Sequence, residues 1–372
     1  MTTSREENHV ITELRGRVGT ITLNRPQALN ALSLGMIRAI TMALLEWRDN
    51  DQVLAVVVRG VNKEGPFGVF SAGGDIRFFH RAALNGNPEL EDFFTEEYAL
   101  NHLIHTYAKP YIALMDGVVM GGGMGISQGA SLRIVTERSQ LAMPETGIGL
   151  FPDVGGGYFL SRCAGRLGEY LALTGLVLGG RDAMAAGLAD GFMDSGRLPG
   201  LWNSLAQTPF ENGASVERWC ASHLTTTPVP SVWPVAEVNR IFGLPTVPAI
   251  VAALAATESD WARATLATLG KRSPLMLHVV LEQIRRARGM GLADDLRMER
   301  GLVRQCFHLR PGPASETVEG IRALAVDKDH QPRWNPARVE HVTPEQVNAF
   351  FESPWPAHAH PLRTLGAELL AA

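Results

Sequence analysis

Residues 111–135 read YIALMDGVVMGGGMGISQGASLRIV. Tyr111–Met115 is an apolar run of strand length, Gly121, Gly122 and Gly123 break the chain after a second apolar segment, a helical stretch follows, and Leu132–Val135 is apolar again. Short apolar runs separated by a glycine-rich turn and a helix suit strands buried on both faces and joined by helical crossovers. The stretch therefore predicts an α/β fold.

The same pattern extends outward in both directions. Val10–Leu14 and Val18–Leu23 alternate apolar and polar residues around Gly16 and Gly19, which predicts an opening hairpin. Ser33 precedes a helical spacing of Met36, Ile37, Ile40, Leu44 and Trp47, and its hydroxyl is placed to cap the first free amides. Val53–Val58 reads as another buried strand, so the first two hundred residues run strand, turn, helix in succession without a fixed repeat period. After about Asp194 the strand signals fade, and Val247–Leu269 and Ser273–Arg288 read as long helices. The expected organisation is a strand-rich core over residues 1–200 and a mainly helical region over 201–372, with Thr225–Pro234 as the hinge region between them.

Composition narrows the function classes. A 372-residue chain with 45% apolar residues can bury a sizeable core and reads as a soluble globular protein. A net charge of −4, from 34 basic and 38 acidic side chains dispersed along the chain, gives no footprint of nucleic-acid binding. No run reaches the length of apolar sequence needed to span a membrane. Cys163, Cys220 and Cys306 lie far apart, so neither a disulfide framework nor a metal site is expected, and a reducing compartment fits. The start, with Glu6 and Glu7 and no apolar run, argues against a targeting segment and for a cytoplasmic location.

Four segments put small residues or a carboxylate where backbone can approach a ligand. The first is Phe70-Ser71-Ala72-Gly73-Gly74-Asp75-Ile76, where paired glycines permit close approach ahead of an Asp suited to a helix start; an ordinary capped turn is the alternative. The second is Met120–Gly125, whose amides at a helix N-terminus are ready donors to an anion; its spacing fits neither G-x-G-x-x-G nor a P-loop. The third and fourth are Met143-Pro144-Glu145-Thr146 and Phe151-Pro152-Asp153-Val154-Gly155-Gly156-Gly157. Each carboxylate sits among apolar residues, where desolvation raises a pKa and favours acid–base or nucleophilic work, although either one alone also suits a cap or a turn.

Gly125-Ile126-Ser127-Gln128-Gly129 fits the serine-hydrolase elbow G-x-S-x-G, yet the elbow needs a strand running straight into its serine, and here Ser127 falls inside the following helix. His102 with His105, and His358 with His360, lack enough neighbouring ligands for a metal site.

Taken together in this order, the four segments resemble the crotonase superfamily, the enoyl-CoA hydratase/isomerase fold, whose N-terminal signature is similar to Asn24-Arg25-Pro26 and Leu29-Asn30-Ala31-Leu32. The resemblance implies a spiral of repeated ββα units. It also implies that the amides of Gly74 and Gly122 bind a thioester oxygen, that Ser71, Ala72, Gly73, Asp75, Ile76 and Gly121 line the acyl-CoA path, and that Arg25 is among the contacts to the CoA phosphates.

Hydratases of the superfamily carry a glutamate three residues after the second oxyanion glycine, and Gly125 stands there in this chain. The segments MPET and FPDVGGGYFL, with Glu97-Tyr98, Leu171–Gly175, Glu319–Ala323, Asp327–Asp329 and Trp334, resemble instead the 3-hydroxyisobutyryl-CoA hydrolase branch. That likeness implies hydrolysis of a small β-hydroxyacyl-CoA thioester, 3-hydroxyisobutyryl-CoA of valine catabolism, in which Glu145 acts at the carbonyl, Asp153 accepts the substrate hydroxyl and Glu97 is a second polar contact. No cofactor is implied, since coenzyme A belongs to the substrate, and a homo-oligomer is compatible with the resemblance. The competing expectations are an enoyl-CoA hydratase or isomerase and a non-catalytic binding protein of the same fold.

Overall fold

The computed structural model describes residues 8–227 and 230–367. Glu6 and Glu7 lie outside the described residues, as do residues 228 and 229 within the expected hinge region. The chain opens with β1 (Val10–Arg15) and β2 (Val18–Leu23), an antiparallel hairpin in which Val10 faces Leu23. Ser33 then caps the helix Leu34–Arg48 by accepting the amide of Met36 at 3.3 Å, as its position before an apolar spacing predicts.

Three successive turns of chain follow, each giving one strand to each of two sheets. They are β3 (Ala55–Gly60) with β4 (Val69–Ser71), β5 (Tyr111–Met115) with β6 (Val118–Met120), and β7 (Leu132–Val135) with β8 (Gln140–Ala142). Each pair is followed by helical backbone, at Ile76–Asn85, Gly122–Gln128 and Glu145–Ile148, so the expected ββα spiral is present. The short β9 (Leu178–Gly179) and β10 (Gly191–Phe192) complete a six-stranded sheet, ordered β1-β2-β3-β5-β7-β10, and a four-stranded sheet, ordered β4-β6-β8-β9.

This topology positions the site. β4, β6 and β8 are neighbours and run parallel, so Ser71, Met120 and Ala142 end side by side at one edge. The segments leaving those ends are Ala72–Gly74, Gly121–Gly122 and Met143–Glu145, so sequence stretches about fifty and about twenty residues apart become adjacent loops at strand C-termini.

Strand alternation builds two hydrophobic layers. In β3, Val56 and Val58 face the main core, whereas Ala55 and Val57 face a second cluster with Ile112, Leu114, Leu132 and Ile134. That second face is covered by Leu198, Leu201 and Trp202 of the helix Leu198–Ser204 and by Val216 and Cys220 of the helix Gly213–Ala221. The sequence-based division at residue 200 runs through the first of these helices.

Beyond this point the described residues are mainly helical. The expected helix over Val247–Leu269 is interrupted, forming Val247–Ala255 and Asp260–Leu269. Ser259 takes an extended backbone (φ −142°) and its hydroxyl accepts the amide of Ala262 at 3.1 Å, which restarts the helix instead of continuing it. Pro274–Ala287, capped by Ser273, matches its sequence-derived bounds within a residue and packs its buried Leu277, Val280 and Ile284 into the main core, against the helices Gly156–Ser161 and Leu167–Thr174.

Candidate active site

The loops at the ends of β4, β6 and β8 open into a cavity of about 360 Å³. Its wall includes Ala72, Gly73, Gly74 and Ile76 from the first loop, Gly121 and Gly122 from the second, and Glu145 from the third. Asp153 and Val154 enter from the loop before the helix Gly156–Ser161, and Glu97 enters from the long helix Glu89–His105. Most of the expected site residues are thereby brought together.

Ser71, Asp75 and Arg25 stand behind this wall. The Ser71 hydroxyl donates to Asn30 O at 2.9 Å and accepts the Gly73 amide at 3.2 Å, fixing the turn from behind. Arg25 donates to Asp75 Oδ2 at 2.8 Å and to Ala31 O at 2.9 Å, which ties the first loop to the turn after β2. Its guanidinium is thus committed within the fold. Arg272 is the basic side chain that does line the cavity; its Nε donates to Thr174 O at 3.0 Å.

Gly74 and Gly122 present their amides next to each other. Leu32 donates to Gly73 O and the Asp75 amide donates back to Leu32 O, so the bridge of this short parallel pair uses the groups flanking the Gly74 N–H and not that N–H itself. Gly122 is the first residue of the helix Gly122–Gln128, where a backbone N–H has no partner inside the helix. A methyl group on Gly122 would lie 3.4 Å from Gly74 N and only 2.5 Å from Glu97 Oε1, so a side chain there would fill the gap between amides and carboxylate. Gly121 has φ +48°, and a methyl group on it would lie 2.8 Å from Glu145 Oε1. Both positions need glycine for close approach.

The three carboxylates share one desolvated space. Glu97, Glu145 and Asp153 are all at least 94% buried, and Glu97 Oε1 and Glu145 Oε2 have no hydrogen-bond partner among the described residues. Burial first, then the charges of Asp153 and Glu145, push Glu97 well above the ordinary carboxylate range. Burial and Asp153 do the same to Glu145. Asp153 is raised less, to about 6, because burial is opposed by the Tyr98 hydroxyl, which donates to Oδ2 at 2.8 Å. Such a cluster cannot hold three negative charges cheaply, and its protons titrate as a group.

The Asp153 loop is held from the far half of the chain. Glu299, fully buried on the helix Leu292–His308, accepts the amides of Gly155 at 2.7 Å and Gly157 at 2.9 Å, and Asp295 one turn earlier accepts that of Tyr158 at 2.8 Å. Gln283 donates to Pro152 O at 2.7 Å. Between these anchors Val154 adopts φ +56°, an outlier for a β-branched residue that costs on the order of 1–3 kcal/mol and survives only where its surroundings over-determine it. Gln283, Asp295 and Glu299 were not singled out from sequence, and Tyr98 entered only as part of the Glu97-Tyr98 segment. Only the Glu97-Tyr98 pair carried any local signal.

Ser127 is fully buried within its helix, where its hydroxyl bonds back to Gly123 O at 2.8 Å; this local bond excludes an exposed nucleophile elbow. Among the described residues no group of His, Cys, Asp and Glu is arranged to hold a metal ion.

Comparison with known proteins places these features in context. The family described as Enoyl-CoA hydratase/isomerase matches residues 18–351. The chain is 41% identical over 350 residues to a Bos taurus protein named 3-hydroxyisobutyryl-CoA hydrolase, mitochondrial, covering 92% of this chain and 88% of that protein. It is 40% identical over 344 residues to the Xenopus tropicalis protein of the same name, covering 91% and 87%. Among solved structures it superposes on a carnitinyl-CoA dehydratase from Mycobacterium thermoresistibile with a TM-score of 0.84 at 35% identity, covering 94% of this chain and 98% of that one. An enoyl-CoA hydratase from Rhodobacter sphaeroides 2.4.1 gives a TM-score of 0.81 at 34% identity, covering 93% and 98%.

Proposed function

The chain belongs to the enoyl-CoA hydratase/isomerase family, and from that premise we propose that it hydrolyses a small β-hydroxyacyl-CoA thioester, 3-hydroxyisobutyryl-CoA, to the free hydroxy acid and coenzyme A. The observation that carries the choice of hydrolysis over hydration is the packing around Gly125. A methyl group there would lie 2.6 Å from Val154 Cβ and 2.9 Å from Asn101 Nδ2, so the site where a hydratase would carry its second glutamate is closed by protein atoms. Glu145 and Asp153 are left facing the cavity with Glu97.

In this reading the thioester oxygen sits between the Gly74 and Gly122 amides, which stabilise the negative charge that develops as the carbonyl is attacked. Losing one such donor typically costs about 2.7–4 kcal/mol of transition-state stabilisation. Glu145 either attacks the carbonyl carbon or takes a proton from water, Asp153 accepts the β-hydroxyl of the acyl group, and Glu97 closes the pocket beside it. We place the reaction in a reducing compartment, the cytoplasm in the sequence-based reading, on the three free buried thiols Cys163, Cys220 and Cys306; the animal relatives carry the word mitochondrial in their names.

Incubation with 3-hydroxyisobutyryl-CoA releases free thiol at enzymatic rates, whereas crotonyl-CoA loses its conjugated absorbance no faster than in buffer. The reverse pattern would make the chain a hydratase, and inertness toward both would revive a binding role. Restoring the hydratase residue does not restore hydration. Gly125→Glu displaces Val154 and with it Asp153, so thiol release falls by about a hundredfold or more, crotonyl-CoA hydration stays at background, and overpacking lowers stability by about 1–3 kcal/mol. A G125E protein that hydrates crotonyl-CoA would overturn this account of the packing.

A further inference from the structure

Behind Val154, on the side away from the acyl cavity, lies a second chamber of about 40 Å³. Val154 lines both spaces and so forms the partition between them. Gly125, Gly155 and, from the C-terminal half, Leu292 line the rear chamber, and Asn101, His105 and Gln128 supply its polar groups.

Glu97, Asn101 and His105 follow one another at four-residue spacing on the helix Glu89–His105, so they form a polar stripe along one face. The stripe starts in the acyl cavity at Glu97 and continues in the rear chamber at Asn101 and His105. Asn101 is 97% buried, and neither its Oδ1 nor its Nδ2 has a hydrogen-bond partner among the described residues. Leaving a buried amide unsatisfied costs about 1–3 kcal/mol. The chamber has room for roughly three or four water molecules at about 10–15 Å³ each, and its polar lining suits them. His105, exposed and with its ring edge-on to Tyr158 at 5.4 Å, is another polar group lining the chamber.

Hydrolysis consumes one water per turnover: the carbon–sulfur bond breaks, the departing sulfur takes a proton to become the thiol, and the water oxygen bonds to the acyl carbon or, where an anhydride with Glu145 has formed, to either of its two carbonyl carbons. A bound CoA thioester occupies the open side of the acyl cavity, so water arriving after the substrate needs another entrance. We propose that this entrance is the rear chamber, with Asn101 as the positioning residue that holds the incoming water and Val154 as the partition it passes. The proposal rests on the hydrolase reading above.

Three measurements test it. In a high-resolution structure with a non-hydrolysable thioether analogue of the CoA ester, ordered water bridges both amide atoms of Asn101 and lies against Val154; a dry chamber overturns the proposal. Asn101→Leu, close in size but apolar, lowers kcat at least about tenfold while KM and the Kd of the analogue stay within about threefold, the pattern of an interaction used only after substrate binds. Asn101→Ser, smaller and able to anchor water, recovers most of that loss. Unchanged kcat in N101L, or equal loss in N101L and N101S, shows that Asn101 serves packing alone and overturns the proposal. Absence of thiol release by the unaltered protein would instead mark failure of the hydrolase reading.

Discussion

Glu145→Gln lowers kcat for 3-hydroxyisobutyryl-CoA by about 10²–10⁴-fold, the range that a positioned acid–base group contributes. Glutamine keeps the shape that fits against Gly121 and leaves the approach of Oε1 to that backbone intact, so binding of the thioether analogue changes little. What disappears is the group that can lose a proton. Because burial and Asp153 hold Glu145 well above the ordinary carboxylate range, acid keeps it protonated and inactive, and rising pH generates the reactive carboxylate. The acid limb of kcat/KM therefore lies above the ordinary glutamate value of about 4.3. Near-normal turnover by E145Q would remove Glu145 from the chemistry. A single turnover in water labelled with heavy oxygen establishes the anhydride route if label enters the Glu145 carboxylate, whereas label in the released acid alone fits direct attack by water or opening of the anhydride on the acyl side.

Asp153→Ala acts on selectivity. The ratio of kcat/KM for 3-hydroxyisobutyryl-CoA over isobutyryl-CoA collapses by up to about 10⁴-fold, the discrimination reached by sites built to hydrogen-bond a substrate hydroxyl. Asp153 is suited to that work because Tyr98 occupies Oδ2 at 2.8 Å, orienting the carboxylate and leaving its other oxygen for the substrate. Burial pushes its pKa up to about 6, so its acceptor form predominates above that pH and fades below it. Equal loss toward the hydroxylated and plain esters would mean that Asp153 does not read the hydroxyl.

Much of this site was legible along the chain because its parts are local. Paired glycines at Gly73-Gly74 and Gly121-Gly122, and carboxylates after Pro144 and Pro152, carry their signals within a few residues, as do the strands at Tyr111–Met115 and Leu132–Val135. The supports of the site were not legible, because their partners are 137 to 144 residues away and each looks like a helix-face carboxylate until the helix is docked. The ion pair made by Arg25 was hidden for a related reason. An arginine within a signature segment suggests an anion, but its partner here is Asp75, fifty residues on. The break before Asp260 was missed because Ser259 can sit within a helix or start one, and periodicity alone does not separate the two.

The bond from Glu299 to the Gly155 amide gives the protein a built-in order of assembly. A ribosome making this chain exposes the spiral, the glycine loops and Glu145 long before Glu299 appears, and domains generally fold in that order during synthesis. Until then the Asp153 loop lacks the acceptor that holds Val154 in its strained conformation. A nascent or prematurely ended chain can thus bear nearly every reacting group and still be idle toward cellular thioesters, with competence arriving only once the last third of the protein has docked.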